Sequence, residues 1–238
     1  MSIELVRTEL LLGKDNVAKL LSARVLVAGL GGVGGFAAEL LCRAGIGEII
    51  LVDGDCVEES NLNRQIVALR STIGKNKAIA MAERLRDIRE SVIIEPIPLF
   101  LSEDNIDLIL NRYQIDFIVD AIDSVGPKCM LINQAFSRNI PMVSSMGSGF
   151  RKDCERVCLT KLSDTYQDGL SRAVRQQLKN RAIADKLTVV FSDEPVSENI
   201  LNGRDSDSGK RVIGTISYIP SLFGCYLAQY VITGLIKE

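Results

Sequence analysis

VLVAGLGGVGGFAAELLCRAGIGEIILVDGD, residues 25–55, is the stretch whose reading decides the fold. Residues 25–28 form an apolar run of strand length, and residues 36–44 have the apolar weight of a helix. Between them Gly29, Gly31 and Gly34 fill the three glycine places of G-x-G-x-x-G, with Gly32 and Gly35 beside them. Glycine there lets the backbone turn tightly and come close to a phosphate. The helix that follows offers that anion unpaired N–H groups and the positive end of its dipole. A second apolar run, residues 48–52, ends in Asp53, where a βαβ nucleotide site places the acid that meets ribose hydroxyls. Strand, glycine turn, helix, strand and acid agree on a nucleotide-binding α/β fold.

Outward from this unit the pattern continues. Helical spacing runs over 75–89, 103–111 (with Ser102 as cap) and 128–138, and strands over 92–97, 117–121 and 142–146. Alternating strands and helices predict a doubly wound, Rossmann-like, mostly parallel sheet. Beyond residue 149 the rhythm changes. Residues 150–165 read as extended, 169–180 as a helix and 187–191 as a strand, and 211–217 as a last strand. The polar run SENILNGRDSDSGKR, 197–211, reads as mobile. Residues 219–236 are apolar but hold Pro220, Gly224, Gln229 and Gly234, which suits a packed C-terminal helix better than a membrane span. Residues 9–21 predict one short amphipathic helix. With no repeat and no clean linker, 1–238 is expected to be a single domain: an N-terminal arm (1–22), a nucleotide-binding core (23–149) and a substrate-facing region (150–238).

Composition narrows the classes. A chain of 238 residues, 47% hydrophobic, can bury a large core. A net charge of −2 excludes a generally basic nucleic-acid binder, so any such surface is local. The six cysteines are scattered, with no C-x-x-C pair, which reads as reduced thiols and a cytoplasmic location. There is no histidine. Zinc would need cysteines and carboxylates, and Cys154 with Cys158 is too few, so no zinc is expected.

Polar residues cluster where the strands end. Asp53-Gly54-Asp55 closes the second strand, Ser60-Asn61-Leu62-Asn63-Arg64-Gln65 follows, Gly74-Lys75-Asn76-Lys77 opens a helix, and Asp120-Ala121-Ile122-Asp123 ends another strand. In a doubly wound sheet such strand ends meet around the ligand. Asp123 near phosphates calls for Mg²⁺ between them. Arg64 and Lys77 suit charge developing on those phosphates. Singly, Arg64 or Lys77 reads as a solvated charge and a strand-end acid as a helix cap; together on one edge they describe equipment for attack at phosphorus. A NAD-dependent reductase would use the glycines and Asp53 alone, leaving Arg64, Lys77 and Asp123 without work.

These motifs in this order (GLGGVG, LVDGD, SNLNRQ, G-x-x-K and DAID) resemble the adenylating ThiF/MoeB superfamily, which includes the ubiquitin-activating enzymes. The resemblance implies ATP as cosubstrate. It implies that Gly32, with Gly29 and Gly31, contacts the nucleotide, that Asp53 holds its ribose, and that Asn61 and Arg64 reach the phosphates. Asp55, Ser60 and Gln65 complete the expected nucleotide-binding set. Lys77 neutralises charge, and Asp123 holds Mg²⁺. Arg7 resembles an N-terminal arginine that reaches ATP in the neighbouring subunit, which implies a homodimer. SSMGSG at 144–149, LSDTYQDGLSRAVRQQLKNR at 162–181, VVFSDE at 189–194 and GTISYIPSLFGCYLAQYVI at 214–232 are similar to the tRNA threonylcarbamoyladenosine dehydratase branch.

That branch implies adenylation of the free carboxylate on a modified tRNA adenosine at position 37, followed by closure of a ring. The alternative is an adenylyltransferase for the C-terminus of a ubiquitin-like or sulfur-carrier protein. Sulfur-carrier activating enzymes typically carry two C-x-x-C pairs, absent here. For an RNA partner, Arg172, Arg175 and Lys179 fall on one helix face opposite Leu170, Val174 and Leu178, with Arg181 beyond, either as a phosphate-contacting stripe or as a solvated face. Cys225 reads either as a nucleophile, or acceptor of sulfur from a cysteine-desulfurase partner, or as a small apolar residue packed in the last helix.

Overall fold

The computed structural model describes residues 3–196 and 213–237. The chain opens with two helices, α1 (Val6–Leu12) and α2 (Lys14–Ser22). The single helix expected over 9–21 is broken at Gly13, whose φ of 84° no helix accommodates. Then follow β1 (Arg24–Ala28), α3 (Gly34–Ala44), β2 (Glu48–Val52), α4 (Lys77–Ile88), β3 (Ile93–Ile97), α5 (Glu103–Arg112), β4 (Phe117–Asp120), α6 (Val125–Ser137) and β5 (Met142–Ser145). The rest comprises β6 (Val157–Lys161), α7 (Gly169–Leu178), α8 (Arg181–Lys186), β7 (Thr188–Ser192) and α9 (Tyr218–Ile236). Residues 213–217 form no strand, contrary to the reading of 211–217; residues 197–211, read as mobile, lie outside the described residues.

The seven strands form one sheet in the order β3-β2-β1-β4-β5-β7-β6. All neighbours pair in parallel except β6 with β7, which closes the edge antiparallel. Strand alternation sorts the side chains into two cores. Val25, Val27, Ile49 and Leu51 face α2, α3, α4 and α9. Leu26, Ala28, Ile50 and Val52 face α5, α6, α7 and α8. The inner strands β1, β2 and β4 are buried on both faces, which explains their apolar runs.

α9 is long and apolar enough by composition to cross a membrane. Here Ile219, Phe223, Leu227 and Val231, four apart along one stripe, are fully buried. Burying such side chains contributes about 1.5–3 kcal/mol each. Chain order reverses between β1 and β4, and the crevice at the carboxyl ends of these two strands is where a doubly wound sheet holds its ligand.

Candidate active site

A cavity of about 800 Å³ occupies that crevice. Its first wall is the glycine turn. Gly29 has a φ of 85°, and a Cβ there would sit 2.7 Å from the Ala121 carbonyl oxygen, so only glycine lets β1 and β4 come this close. Gly34 must likewise be glycine, since its Cβ would fall 1.8 Å from the Gly29 carbonyl oxygen.

Asp53 locks this turn. Its Oδ2 accepts the Leu30 N–H at 2.6 Å and its Oδ1 accepts the Asp55 N–H at 2.8 Å. Burial pushes its carboxyl above the usual carboxylate range, opposed by these two N–H groups and by Lys77. Each oxygen keeps lone-pair capacity for a hydroxyl.

Lys77 starts α4. Asn76 caps that helix, its Oδ1 accepting from Ala78 and Ile79 N–H at 2.9 and 3.3 Å. The Asn76 amide also donates to the carbonyls of Asp53 and Asp55 at 3.1 and 3.0 Å, tying the helix start to the end of β2. Lys77 is therefore buried (6% exposed), with Nζ 3.0 Å from Asp55 Oδ2. A buried ammonium with one carboxylate partner has donors left for a phosphate. Arg64 borders the cavity, its Nη1 donating to the Ser60 carbonyl and to Asn63 Oδ1, both at 2.9 Å. Gln65 is buried with no donor on Oε1, an acceptor left for a ligand. Asp123 lines the opposite side, exposed.

Gly29, Gly31, Gly32, Asp53, Asp55, Arg64, Gln65, Lys77 and Asp123 thus share one cavity. Others expected there do not line it. Ser60 is exposed and donates to Glu58, while Asn61 is spent on a cap, its Oδ1 accepting the Glu58 N–H at 3.1 Å. Arg7 is exposed on α1, outside the cavity. The arginine stripe splits. Arg172 lines the cavity, Arg175 turns inward to bond the Leu162 carbonyl and Thr165 hydroxyl, and Lys179 and Arg181 point to solvent. Cys225 is exposed on α9 rather than packed, lies outside the cavity, and burial of its surroundings pushes its thiol up, the wrong direction for a nucleophile.

The second wall falls largely in the region 150–238 expected to face the substrate, although of its charged residues the sequence singles out only Arg172. It comprises 145–151 after β5, 167–170 and Arg172 at the start of α7, and Ile213 with Thr215. The Phe150 N–H donates to the Gly214 carbonyl at 2.8 Å and Asn63 to the Thr215 carbonyl at 3.2 Å, so residues 213–215 strap the loop after β5 to the Arg64 loop. At its centre is Arg151, buried and bordering the cavity. The runs SSMGSG, LSDTYQDGL and GTIS supply this wall, but none of them singles out Arg151.

Sequence comparison matches the ThiF family model to residues 5–238. A tRNA threonylcarbamoyladenosine dehydratase of Bacillus subtilis is 33% identical over 98% of this chain and 94% of its own length. The Haemophilus influenzae protein of the same name is 33% identical over 94% of this chain and 90% of its own. Among solved structures, E. coli tRNA N6-threonylcarbamoyladenosine dehydratase, TcdA, in complex with ATP superposes with a TM-score of 0.88 at 32% identity, covering 98% of this chain and 93% of that one. Motif order, sheet topology and whole-length similarity agree: the chain belongs to the ThiF family.

Proposed function

We propose that this protein is an ATP-dependent tRNA threonylcarbamoyladenosine dehydratase, which adenylates the carboxylate of the modified adenosine and closes it into a ring with net loss of water. The observation that carries this is the single cavity in which a phosphate-binding turn, Asp53, Lys77 and Asp123 share walls with Arg151 and Arg172. Relatives matching almost end to end bear the same activity in their names.

The residues divide the work. The glycine turn and the start of α3 receive phosphate oxygens, and Asp53 holds the ribose. Lys77 and Arg64 offset the charge that grows as a carboxylate oxygen bonds to the α-phosphorus and pyrophosphate leaves. Asp123 fits Mg²⁺ in the way that ion is commonly held, by one carboxylate with the nucleotide's phosphates; among the described residues no cluster of three or more Cys, Asp or Glu converges on a metal. When bound, Mg²⁺ neutralises the leaving pyrophosphate. A nitrogen or oxygen of the same modification then attacks the activated carbonyl, and AMP departs. This closure is intramolecular, so positioning supplies most of the rate, as suits a chain without histidine.

Arg7 acts only if a second copy presents it to this cavity. The exposed Ile3, Leu10 and Leu11 around it (90%, 83% and 83%) support a homodimer joined through the N-terminal arm. Six free cysteines support a reducing, cytoplasmic setting. The cysteine-desulfurase partner has no such support, since Cys225 lies outside the cavity.

Nucleoside mass spectrometry decides. Incubation of threonylcarbamoyladenosine-bearing tRNA with protein, ATP and Mg²⁺ is expected to yield a nucleoside lighter by one water. Lys77→Ala and Asp123→Ala should each lower the rate roughly 10²–10³-fold, the usual cost of one transition-state charge contact. Pyrophosphate exchange dependent instead on a small protein's C-terminus would favour an adenylyltransferase.

A further inference from the structure

Arg151 is 4% exposed, and two of its three guanidinium nitrogens, Nε and Nη1, have no hydrogen-bond partner. Nη2 donates to the Gln167 carbonyl at 2.8 Å and lies 3.8 Å from Asp168 Oδ2, beyond hydrogen-bond reach. Asp168 pairs with Arg151 by charge, but no neighbouring acid accepts a hydrogen bond from Nε or Nη1. Asp168 Oδ1 accepts the Ser171 N–H at 2.6 Å, and Glu194 Oε2 accepts the N–H groups of Lys152 and Asp153 at 2.8 and 2.9 Å. A buried guanidinium ordinarily has its donors filled. Arg89 shares the same two unpartnered atoms but lies outside the cavity, so orphaned donors alone assign no ligand; position on the cavity wall does.

The backbone beside Arg151 supports a built site. Phe150 and Gln167, the residue before it and the residue that accepts from it, both hold left-handed conformations, with φ of 60° and 52°, and both line the cavity. Strained non-glycine residues persist where surrounding structure imposes them, and they cluster at ligand clamps.

The ligand chemistry follows from the donors. A planar guanidinium with free N–H groups matches a carboxylate. The nucleotide phosphates already have Lys77, Arg64 and the glycine turn on the other wall. We infer that Arg151 binds the free carboxylate of the threonylcarbamoyl group and holds it for attack on the α-phosphorus, an inference that rests on the dehydratase reading above. In that step an O–P bond forms at the α-phosphorus and the bond to pyrophosphate breaks, its electron pair leaving with pyrophosphate. Arg151 gives up no proton.

The test compares two anticodon stem-loops, one with the threonyl carboxylate free and one with it capped as an amide, binding in the presence of a non-hydrolysable ATP analogue. Wild type is expected to prefer the free acid, and R151Q to lose about tenfold of that preference, the scale of one charge-assisted contact. R151Q should also show a raised KM for modified tRNA with its Kd for ATP within twofold of wild type. A purely structural arginine would alter thermal stability without changing acid-over-amide discrimination. R151Q retaining both preference and KM overturns the assignment, as does a wild type indifferent to the amide cap. If R151Q does not unfold cooperatively, R151K, which keeps the charge but not the planar fork, decides: a several-fold weaker preference is expected, and an unchanged one overturns it. Wild type that prefers the free acid yet forms no cyclic nucleoside sinks the dehydratase reading and leaves the carboxylate site standing.

Discussion

Lys128 is fully buried on α6, with Nζ 2.7 Å from Asp120 Oδ2, 3.0 Å from Ser144 Oγ and 3.0 Å from the Ser145 carbonyl. All three ammonium protons are used, and Asp120 also accepts from the Ser144 hydroxyl at 2.6 Å and the Ile122 N–H at 3.1 Å. The network pins the carboxyl ends of β4 and β5, from which Asp123 and the loop to Arg151 depart. A closed buried network of this kind is costly to break from one side, because the remaining charge is left unpaired. K128M is therefore expected to cost about 3–5 kcal/mol in urea unfolding, and D120N/K128M less than K128M alone. Equal costs for the two variants would show that the charge of Asp120 is not what the lysine compensates. DAID was legible as a strand end bearing acids, but nothing in the sequence said that Asp120 turns into the core while Asp123 faces the cavity. That division comes from Lys128, eight residues on in α6, which takes Asp120 into the core, while Asp123 lies past the end of the strand.

Between elements, Glu39 does the comparable work. It sits on α3, 7% exposed, taking Arg43 Nε at 2.9 Å within its own helix and Arg84 Nε at 2.6 Å from α4. It thereby joins the helix of the glycine turn to the helix that presents Lys77. Burial pushes its carboxyl up, but the hydrogen bonds from Arg84 and Arg43 outweigh it and hold the group below the usual carboxylate range. A depressed carboxylate contributes stability that is present above its unfolded-state pKa and is lost as pH falls through the lower folded one. E39Q should therefore be less stable than wild type at neutral pH, by about 1–3 kcal/mol, and the gap should narrow below about pH 4, where the unfolded chain's carboxyl takes up its proton. Parallel unfolding curves at pH 7 and 3.5 check this; a constant gap would assign the effect to packing. At this scale the sequence was most informative. Helices α3 to α6 follow from 3.6-residue periodicity, and β1, β2 and β4 from apolar runs that only a sheet covered on both faces allows. The break at Gly13 escaped because periodicity runs straight through it, and a positive φ leaves no mark on the apolar pattern.

For the whole molecule, helix α9 closes over the glycine turn, bringing residues 220–224 to the active site. Gly224 on α9 faces α3 so closely that a Cβ there would lie 2.7 Å from the Val33 carbonyl oxygen and 2.8 Å from Phe36 Cβ. One turn earlier Pro220 borders the cavity, 2.9 Å from where a Cβ on Gly32 would stand. The nucleotide wall was legible because each of its pieces, the glycine turn with Asp53, the 60–65 run, 74–77 and 120–123, carries a short local motif at a strand or helix end. The Arg151 wall was not, because residues 145–151, 167–170 and 213–215 meet only through tertiary folding, and a buried arginine reads in sequence like any surface charge. The same long-range closure makes Gly224 a sensitive position. A larger side chain must push α9 off α3, since the first obstacles are backbone atoms that cannot swing aside. G224V is expected to cost about 1–3 kcal/mol, as overpacking does, lowering Tm by roughly 2–12 °C for a chain of this size. Because Pro220 moves with α9, ATP affinity should fall with Tm. Thermal unfolding paired with ATP calorimetry separates the two consequences. A lowered Tm with unchanged ATP Kd would make α9 a support of the fold alone, and an unchanged Tm would mean that the contact between α9 and α3 yields more readily than its backbone distances allow.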